Sequence, residues 1–274
     1  MNKIFYALCL SCLSFNALAI NLQSFRFSDG YRYSLVEDSY QEKFKGDYVF
    51  TTALGYTNSP FYVSDAKVSQ LENEIINYQY ILTIGGTWYV NKDLALGIDL
   101  NTSHSEVLGE TYTNLADTIL KARWNLYRAN DFSFSLNPKI YLPTGNAEDF
   151  TTINSLGGSL NAVSEYRLDG WHFLGSVGYF HGDNNKVSIV DYRNLVLLNL
   201  AASYDLNPLW TLNGEAVKNF TTNRAYRQDE GDYYVTFKYK ADPSFGLYFG
   251  AGIAGLDEID RNNYTVFSGL KFNL

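Results

Sequence analysis

Cysteine is nearly absent from this chain, and its placement matters more than its number. Both cysteines, Cys9 and Cys12, fall within the first nineteen residues. That segment carries one charge, Lys3, then the apolar run Ile4 to Leu18, and closes on Ala17-Leu18-Ala19. A single cation, an apolar stretch and a small-x-small ending form the plan of a cleaved secretory signal, assigned to residues 1–19. Lipidation at Cys12 would call for Leu three residues earlier, where Cys9 stands, so plain cleavage after Ala19 is expected. The remaining chain has no cysteine, which excludes disulfides and thiolate metal sites from an exported protein.

Basic residues are also in short supply: 21 Lys and Arg stand against 29 Asp and Glu, for a formal charge of −8. Losing Lys3 with the leader makes the balance more acidic still. Nucleic acid is therefore not an expected partner. Beyond the leader no apolar run reaches the roughly 18 residues that a spanning helix requires, so any membrane crossing must be made by strands. Phosphate-cradling glycine loops and His/Cys metal spacings are missing too, and neither a cofactor nor a metal is expected. No internal repeat or linker divides the chain.

What the sequence has in abundance is alternation. From Ile76 to Ser103 two runs face each other across Asn91-Lys92-Asp93, a β-hairpin pattern. In the second run Leu94, Leu96, Ile98, Leu100 and Thr102 share one face, while Ala95, Gly97, Asp99, Asn101 and Ser103 share the other. In the first, Ile76, Tyr78, Tyr80, Leu82, Ile84 and Trp88 oppose Asn77, Gln79, Thr83, Gly85 and Thr87. Twelve such runs follow one another: 47–56, 76–90, 94–103, 118–127, 132–142, 156–166, 171–180, 193–206, 210–219, 233–240, 245–254 and 264–274. About ten residues is the length a tilted strand needs to cross a bilayer.

The connections sort by length. Asn91–Asp93, Arg128–Asp131, Arg167–Gly170, Asn207–Leu209 and Ala241–Ser244 are tight, whereas 57–75, 104–117, 143–155, 181–192, 220–232 and 255–263 are long and polar. Tight turns alternating with long loops describe an outer-membrane barrel, its turns periplasmic and its loops extracellular. The expected fold is all-β, a transmembrane antiparallel up-and-down barrel of about 12 strands over residues 47–274, in the outer membrane of a Gram-negative bacterium. Residues 20–46, with Leu22, Phe25 and Phe27 ahead of Ser28-Asp29-Gly30, are read as a periplasmic or lumenal segment; their pairing as two more strands would make 14.

Aromatics fix which face meets lipid. Trp88, Phe132, Tyr166, Trp171, Tyr204, Trp210, Tyr239 and Phe245 share the apolar parity and lie beside tight turns, a girdle at one membrane interface. Tyr56, Tyr78, Tyr179 and Tyr264 form a sparser ring at the other. The polar parity then lines the lumen: Asp99, Lys121, Arg123, Lys139, Glu165, His172, Asp205, Glu215, Lys238, Lys240 and Lys271, with Tyr127, Tyr141, Phe180, Tyr234, Tyr248 and Phe267. Counting from the connections pairs Asp99 with Arg123 and Glu215 with Lys238, and sets Lys121 against Lys139 without an evident partner. These charges brace a narrow barrel or, as the strip Lys121, Arg123 and Lys139, favour an anionic solute.

Catalysis has few candidates among three histidines. His104 lies on the outward parity between Ser103 and Ser105, where a lipid-hydrolysing site would sit, but adjacent strand residues point to opposite faces. The acidic loop runs Asp229-Glu230-x-Asp232 and Asp257-Glu258-x-Asp260 are read as solvated loops before cation sites.

One stretch resembles a known family. Leu115-Ala116-Asp117 enters a strand with Leu120, Lys121, Ala122 and Arg123; Asn137-Pro138-Lys139-Ile140-Tyr141 then leads to Leu142-Pro143-Thr144-Gly145-Asn146, followed by Glu148-Asp149, the Gly-rich Leu156-Gly157-Gly158-Ser159-Leu160 and Gly175-Ser176-Val177-Gly178-Tyr179. This is similar to the outer-membrane transporter family named for the meta-cleavage pathway of phenol degradation, with Ala116-Asp117 where that family commonly has Gly-Asp. The resemblance implies a barrel admitting small, often aromatic, compounds, and carries no catalytic residues. The closing strand, with Tyr264, Val266, Leu270, Phe272 and Leu274 on one parity, resembles the C-terminal signal read by the barrel assembly machinery, ending in Leu where Phe is usual.

Together these readings describe a channel for passive uptake of small solutes, surrounded by outer-membrane lipids, with Lys121, Arg123, Lys139, Asp99, Glu165, Glu215, Lys238, Tyr141 and Tyr248 lining the pore. A barrel that only displays its loops is the alternative, and a lipid-modifying hydrolase the more distant one.

Overall fold

The computed structural model describes residues 46–62, 74–107, 109–146, 152, 155–182, 186–187, 190–191, 194–221, 229–242, 244–254 and 264–274. The leader, all but Gly46 of residues 20–46, Glu148-Asp149 and the 257–260 acidic run lie outside them. The strands are β1 (Tyr48–Tyr62), β2 (Glu74–Tyr89), β3 (Leu94–Val107), β4 (Glu110–Leu115), β5 (Thr118–Arg128), β6 (Phe132–Leu142), β7 (Gly157–Leu168), β8 (Trp171–Gly182), β9 (Lys186–Val187), β10 (Val190–Asp191), β11 (Asn194–Asp205), β12 (Trp210–Thr221), β13 (Asp229–Asp242), β14 (Phe245–Ala254) and β15 (Tyr264–Asn273). All pairings are antiparallel and join neighbours in sequence, except that β5 pairs with β3 past β4, β11 with β8 past the β9–β10 ribbon, and β1 with β15. That pairing closes the sheet, with Leu274 N–H donating to the Tyr48 carbonyl at 2.8 Å and Tyr48 N–H returning to Leu274 at 3.1 Å.

The wall has twelve staves plus one extra strand. The described strands close on themselves through β1 and β15, so the wall is complete at twelve staves and not at fourteen. The extra strand arises because one stave is broken. β4 pairs with the upper half of β3 (Thr102↔Leu115) and β5 with the lower half (Asp99↔Ile119), so three residues, 116–118, oppose two. This is a β-bulge, and it falls in the segment that the alternation alone assigned to a loop. Several strands also run past the expected ends, and the small ribbon β9–β10 occupies part of the loop after β8.

Tight turns carry the expected chemistry. Asp169 and Gly170 both have positive φ, 47° and 80°, the two-residue geometry that matches the twist of a hairpin. Asn91 and Asn207 each accept two backbone N–H bonds through their side-chain oxygens, which closes those turns.

The apolar parity faces outward. Phe50, Leu54, Leu82, Ile84, Leu96, Ile98, Leu100, Leu160, Val177 and Leu200 are exposed, whereas their polar neighbours Thr51, Thr83, Asn101, Asn161, Ser176 and Ser203 are buried in the lumen. Two bulges correct the expected facing. A register shift between Ile76 and Tyr78 turns Ile76 inward, where it is fully buried. Another between Asn125 and Tyr127 takes Tyr127 out of the lumen: it is 57 % exposed, opposes Phe134 and lies 6.1 Å from the ring of outward Phe132. The lower girdle forms as expected and is held by ring contacts, Trp171 with Tyr204 at 4.7 Å and Trp210 with Tyr239 at 4.9 Å. At the upper rim Tyr56 meets Tyr80 at 4.9 Å and Tyr264 at 6.0 Å.

Candidate functional site

All nine residues assigned to the pore lie on the inner parity of their strands. Asp99, Arg123, Tyr141, Glu165, Glu215, Lys238 and Tyr248 are buried, while Lys121 and Lys139 are half-buried. Lys121 and Lys139 stand directly opposite each other, as the turn count requires.

The expected ion pairs are different. β3 already folds back onto β4 at Val107↔Glu110, ahead of the middle of the expected 104–117 loop, so Asp99 opposes Ile119 and Arg123 opposes Ala95. Asp99 pairs instead with Lys121, whose Nζ lies 2.7 and 2.9 Å from the two carboxylate oxygens, which gives Lys121 the partner that strand counting did not supply. Arg123 donates to the Tyr89 hydroxyl at 3.4 Å. Glu215 likewise lies opposite Tyr234 and Ala201, not Lys238, and accepts from Thr236 Oγ1 at 3.4 Å; Lys238 opposes Thr211 and Tyr248.

Near the turn end, Glu165 Oε1 lies 3.3 Å from His172 Nδ1 and 3.8 Å from Arg167 Nε, and His172 Nε2 lies 3.9 Å from Asp205 Oδ2. Thr211 Oγ1 donates to Asp205 at 2.8 Å. Alternation places His172 and Asp205 inside and the Asp169-Gly170 turn sets β7 against β8, but the meeting of Asp205 with His172 depends on the β8–β11 register, which a sequence does not fix.

Most lining charges group by sign, with Asp99 on β3 and Asp232 on β13 as carboxylates among the basic groups. Lys121, Arg123 and Lys139 lie on β5 and β6; Glu165, Asp205 and Glu215 lie on β7, β11 and β12; Lys238, Lys240 and Lys271 lie on β13 and β15. Apolar patches separate them: Val163, Leu174 and Ala201 with Val217 on the acidic side, and Ala53, Tyr234, Tyr248 and Phe267 with Ile81 beside the second basic arc. Lys271 Nζ stands 5.2 Å from the Tyr248 ring centroid, and Tyr141 meets Phe180 edge-on at 5.2 Å. Asp117 and Asp232 are also buried; the 229–232 run, expected to be a solvated loop, instead opens β13, where Asp232 opposes Val217.

The segment that carried the family resemblance is a structural clasp. Thr144, at the end of Leu142-Pro143-Thr144-Gly145, accepts the Thr118 N–H at 2.9 Å and donates its hydroxyl proton to the Ala116 carbonyl at 2.9 Å, spanning the break between β4 and β5. Asn101 completes it from the other side: its backbone carbonyl accepts from Ala116 N–H at 2.8 Å, its Nδ2 donates to the Asp117 carbonyl at 2.9 Å and its Oδ1 accepts from Thr83 at 2.7 Å. Two motif fragments that are far apart in sequence thus meet at one bulge. The family model covers residues 46–271, which includes that bulge and every stave, and is described as "Putative MetA-pathway of phenol degradation". The chain belongs to this family.

Among curated proteins none matches the sequence. Solved structures do. An outer membrane channel from Pseudomonas putida F1 superimposes with a TM-score of 0.64 at 14% identity, covering 86% of this chain and 98% of that one. The NanC porin matches with a TM-score of 0.58 at 11% identity, over 82% of this chain and 100% of its own. The KdgM porin, solved in complex with disordered oligogalacturonate, matches with a TM-score of 0.52 at 10% identity, over 82% and 98%. At these identities the likeness is one of fold, that of an outer-membrane barrel.

The remaining chemical candidates are placed as follows. His104 Nδ1 lies 2.7 Å from Thr113 Oγ1 on the outer face, while Ser103 and Ser105 are buried on the inner one. Among the described residues no cluster of His, Cys, Asp and Glu is arranged to hold a metal ion.

Proposed function

We propose that this barrel is a channel for passive uptake of small solutes across the outer membrane, with preference for anionic, ring-bearing compounds. The observation that carries the reading is the grouping of most lumenal charge by sign, with basic residues on β5–β6 and β13–β15 outnumbering the Asp99 and Asp232 carboxylates beside them and an acidic group between. Charges gathered by sign around a narrow polar lumen set up a transverse field that attracts and orients an ionised solute. Membership of a phenol-degradation family, and structural relatives that are by name a channel and porins, support the same direction. On this reading the leader at 1–19 is removed on export, residues 20–46 act in the periplasm or lumen, and the assembly machinery inserts the barrel by its last strand. The display-barrel reading draws support from the Asp99–Lys121 pair, since paired charges also brace a wall.

Vesicles reconstituted with the protein test it. Benzoate at neutral pH should enter them faster than protein-free vesicles, and Lys121→Glu with Lys139→Glu should slow that entry. Equal entry with and without protein, for benzoate and for small sugars alike, would favour the display barrel.

A further inference from the structure

Side chains on a sheet ordinarily stand away from it, so large residues inside a narrow barrel would be expected to project across the bore. Here several do not. Tyr234 lies directly across from Gly252, Tyr248 from Gly269, Phe267 from Gly250, and Asp99 from Gly85. In each pair the larger side chain rests over its glycine. A methyl group on Gly250 would stand 2.5 Å from Phe267 Cζ, and on Gly252, Gly269 or Gly85 it would overlap Tyr234, Tyr248 or Asp99 outright; at Gly250, Gly252 and Gly269 it would also meet the backbone oxygens of Val235, Tyr233 and Thr52 at 2.8, 2.5 and 2.7 Å. Lys121 lies over Gly97 in the same way, with Cε 2.7 Å from where that methyl would be. Not every glycine has this role: outward Gly86 and Gly214 have nothing within 4 Å, and lumenal Gly246 would meet only ordinary contacts at 3.7 and 3.9 Å.

The seated residues are the bulkiest groups of the second aromatic patch and the close Asp99–Lys121 pair of the basic arc. A glycine without a Cβ leaves a notch into which the facing side chain can tip, so that it runs along the wall instead of across the lumen. We propose that Gly250, Gly252 and Gly269, with Gly85 and Gly97, determine the size of solute the lumen admits, by holding these side chains against the wall. The inference rests on the channel reading above and adds the residues that fix its bore.

Single-channel recording of the mature full-length protein tests it. Gly252→Ala and Gly269→Ala should each lower conductance about twofold or more as the tyrosine is pushed into the lumen, while Gly246→Ala leaves it unchanged. Tyr234→Ala alone, which does not depend on whether the glycine variants fold, should alter conductance less than about twofold, because a ring lying on the wall does not obstruct. Glycine variants that fold and conduct like the wild type, or a severalfold rise on removing Tyr234, would overturn the proposal. A wild type that passes no current would instead defeat the channel reading. The seating is then read from the heat-induced conversion of folded to unfolded protein: a lower midpoint for Gly252→Ala and Gly269→Ala but not Gly246→Ala supports it, and equal midpoints refute it.

Discussion

Lys121 stands directly across from Lys139 but gives its ammonium group to Asp99, 2.7 Å away on the strand to the other side. Two like charges opposed on a sheet repel, and the carboxylate offsets that repulsion. Asp99→Asn should therefore destabilise the barrel by about 1–3 kcal/mol, because a largely buried ammonium loses this charged partner. Asp99→Asn combined with Lys121→Met should recover part of the loss. Urea titration of the folded protein in lipid vesicles measures both; a neutral Asp99→Asn would show that the pair contributes nothing to the fold.

Thr144 and Thr118 give a second test. Thr144→Val keeps the shape of the side chain but removes one hydrogen-bond acceptor and one donor across the β4–β5 break. The expected cost is about 1–2 kcal/mol, at the low end for each bond because the site is exposed to solvent. Thr144→Ser should behave like the wild type, since the hydroxyl is retained. The midpoint of heat-induced conversion on gels reports the difference, and a Val variant indistinguishable from Ser would show that the clasp is not needed.

The assignment of faces can be tested without a functional assay. The described strands contain no cysteine, so single cysteines report cleanly. Placed at Leu96, Leu136 or Leu200 they should be shielded by lipid from a small water-soluble thiol reagent; placed at Asn101, Asn137 or Ser203 they should react. The reverse pattern would turn the barrel inside out and remove every lumenal residue named above.

The period of two and the sorting of turns from loops made the barrel, its strand number and its lipid face legible, because all three are properties of single strands. Pairings were legible only where a tight turn fixes register, as for Lys121 and Lys139. Asp99 was misassigned because its neighbour is joined through a long connection that folds back off its centre, at Val107↔Glu110, which moves every pair below it. Tyr127 was misassigned because of the bulge between Asn125 and Tyr127, which alternation does not show. Lys238 shows a further limit, since the strands of its hairpin extend beyond their alternating cores and distance from a loop does not count register. The Leu142–Gly145 motif was visible as a resemblance, but its physical role depends on contact with Ala116 and Thr118, which only the folded wall brings together. The glycine notches were likewise out of reach, because a glycine's facing partner is a matter of register.

Planar-bilayer recording tests the central claim most directly. Under a salt gradient the wild type should give small, discrete conductance steps whose reversal potential shows a preference for anions, and Lys121→Glu together with Lys139→Glu should shift that potential toward cation preference by replacing the favourable field of the β5–β6 arc. A protein that inserts and shows heat-modifiable migration yet passes no current would contradict the account, as would a reversal potential unmoved by the two charge reversals.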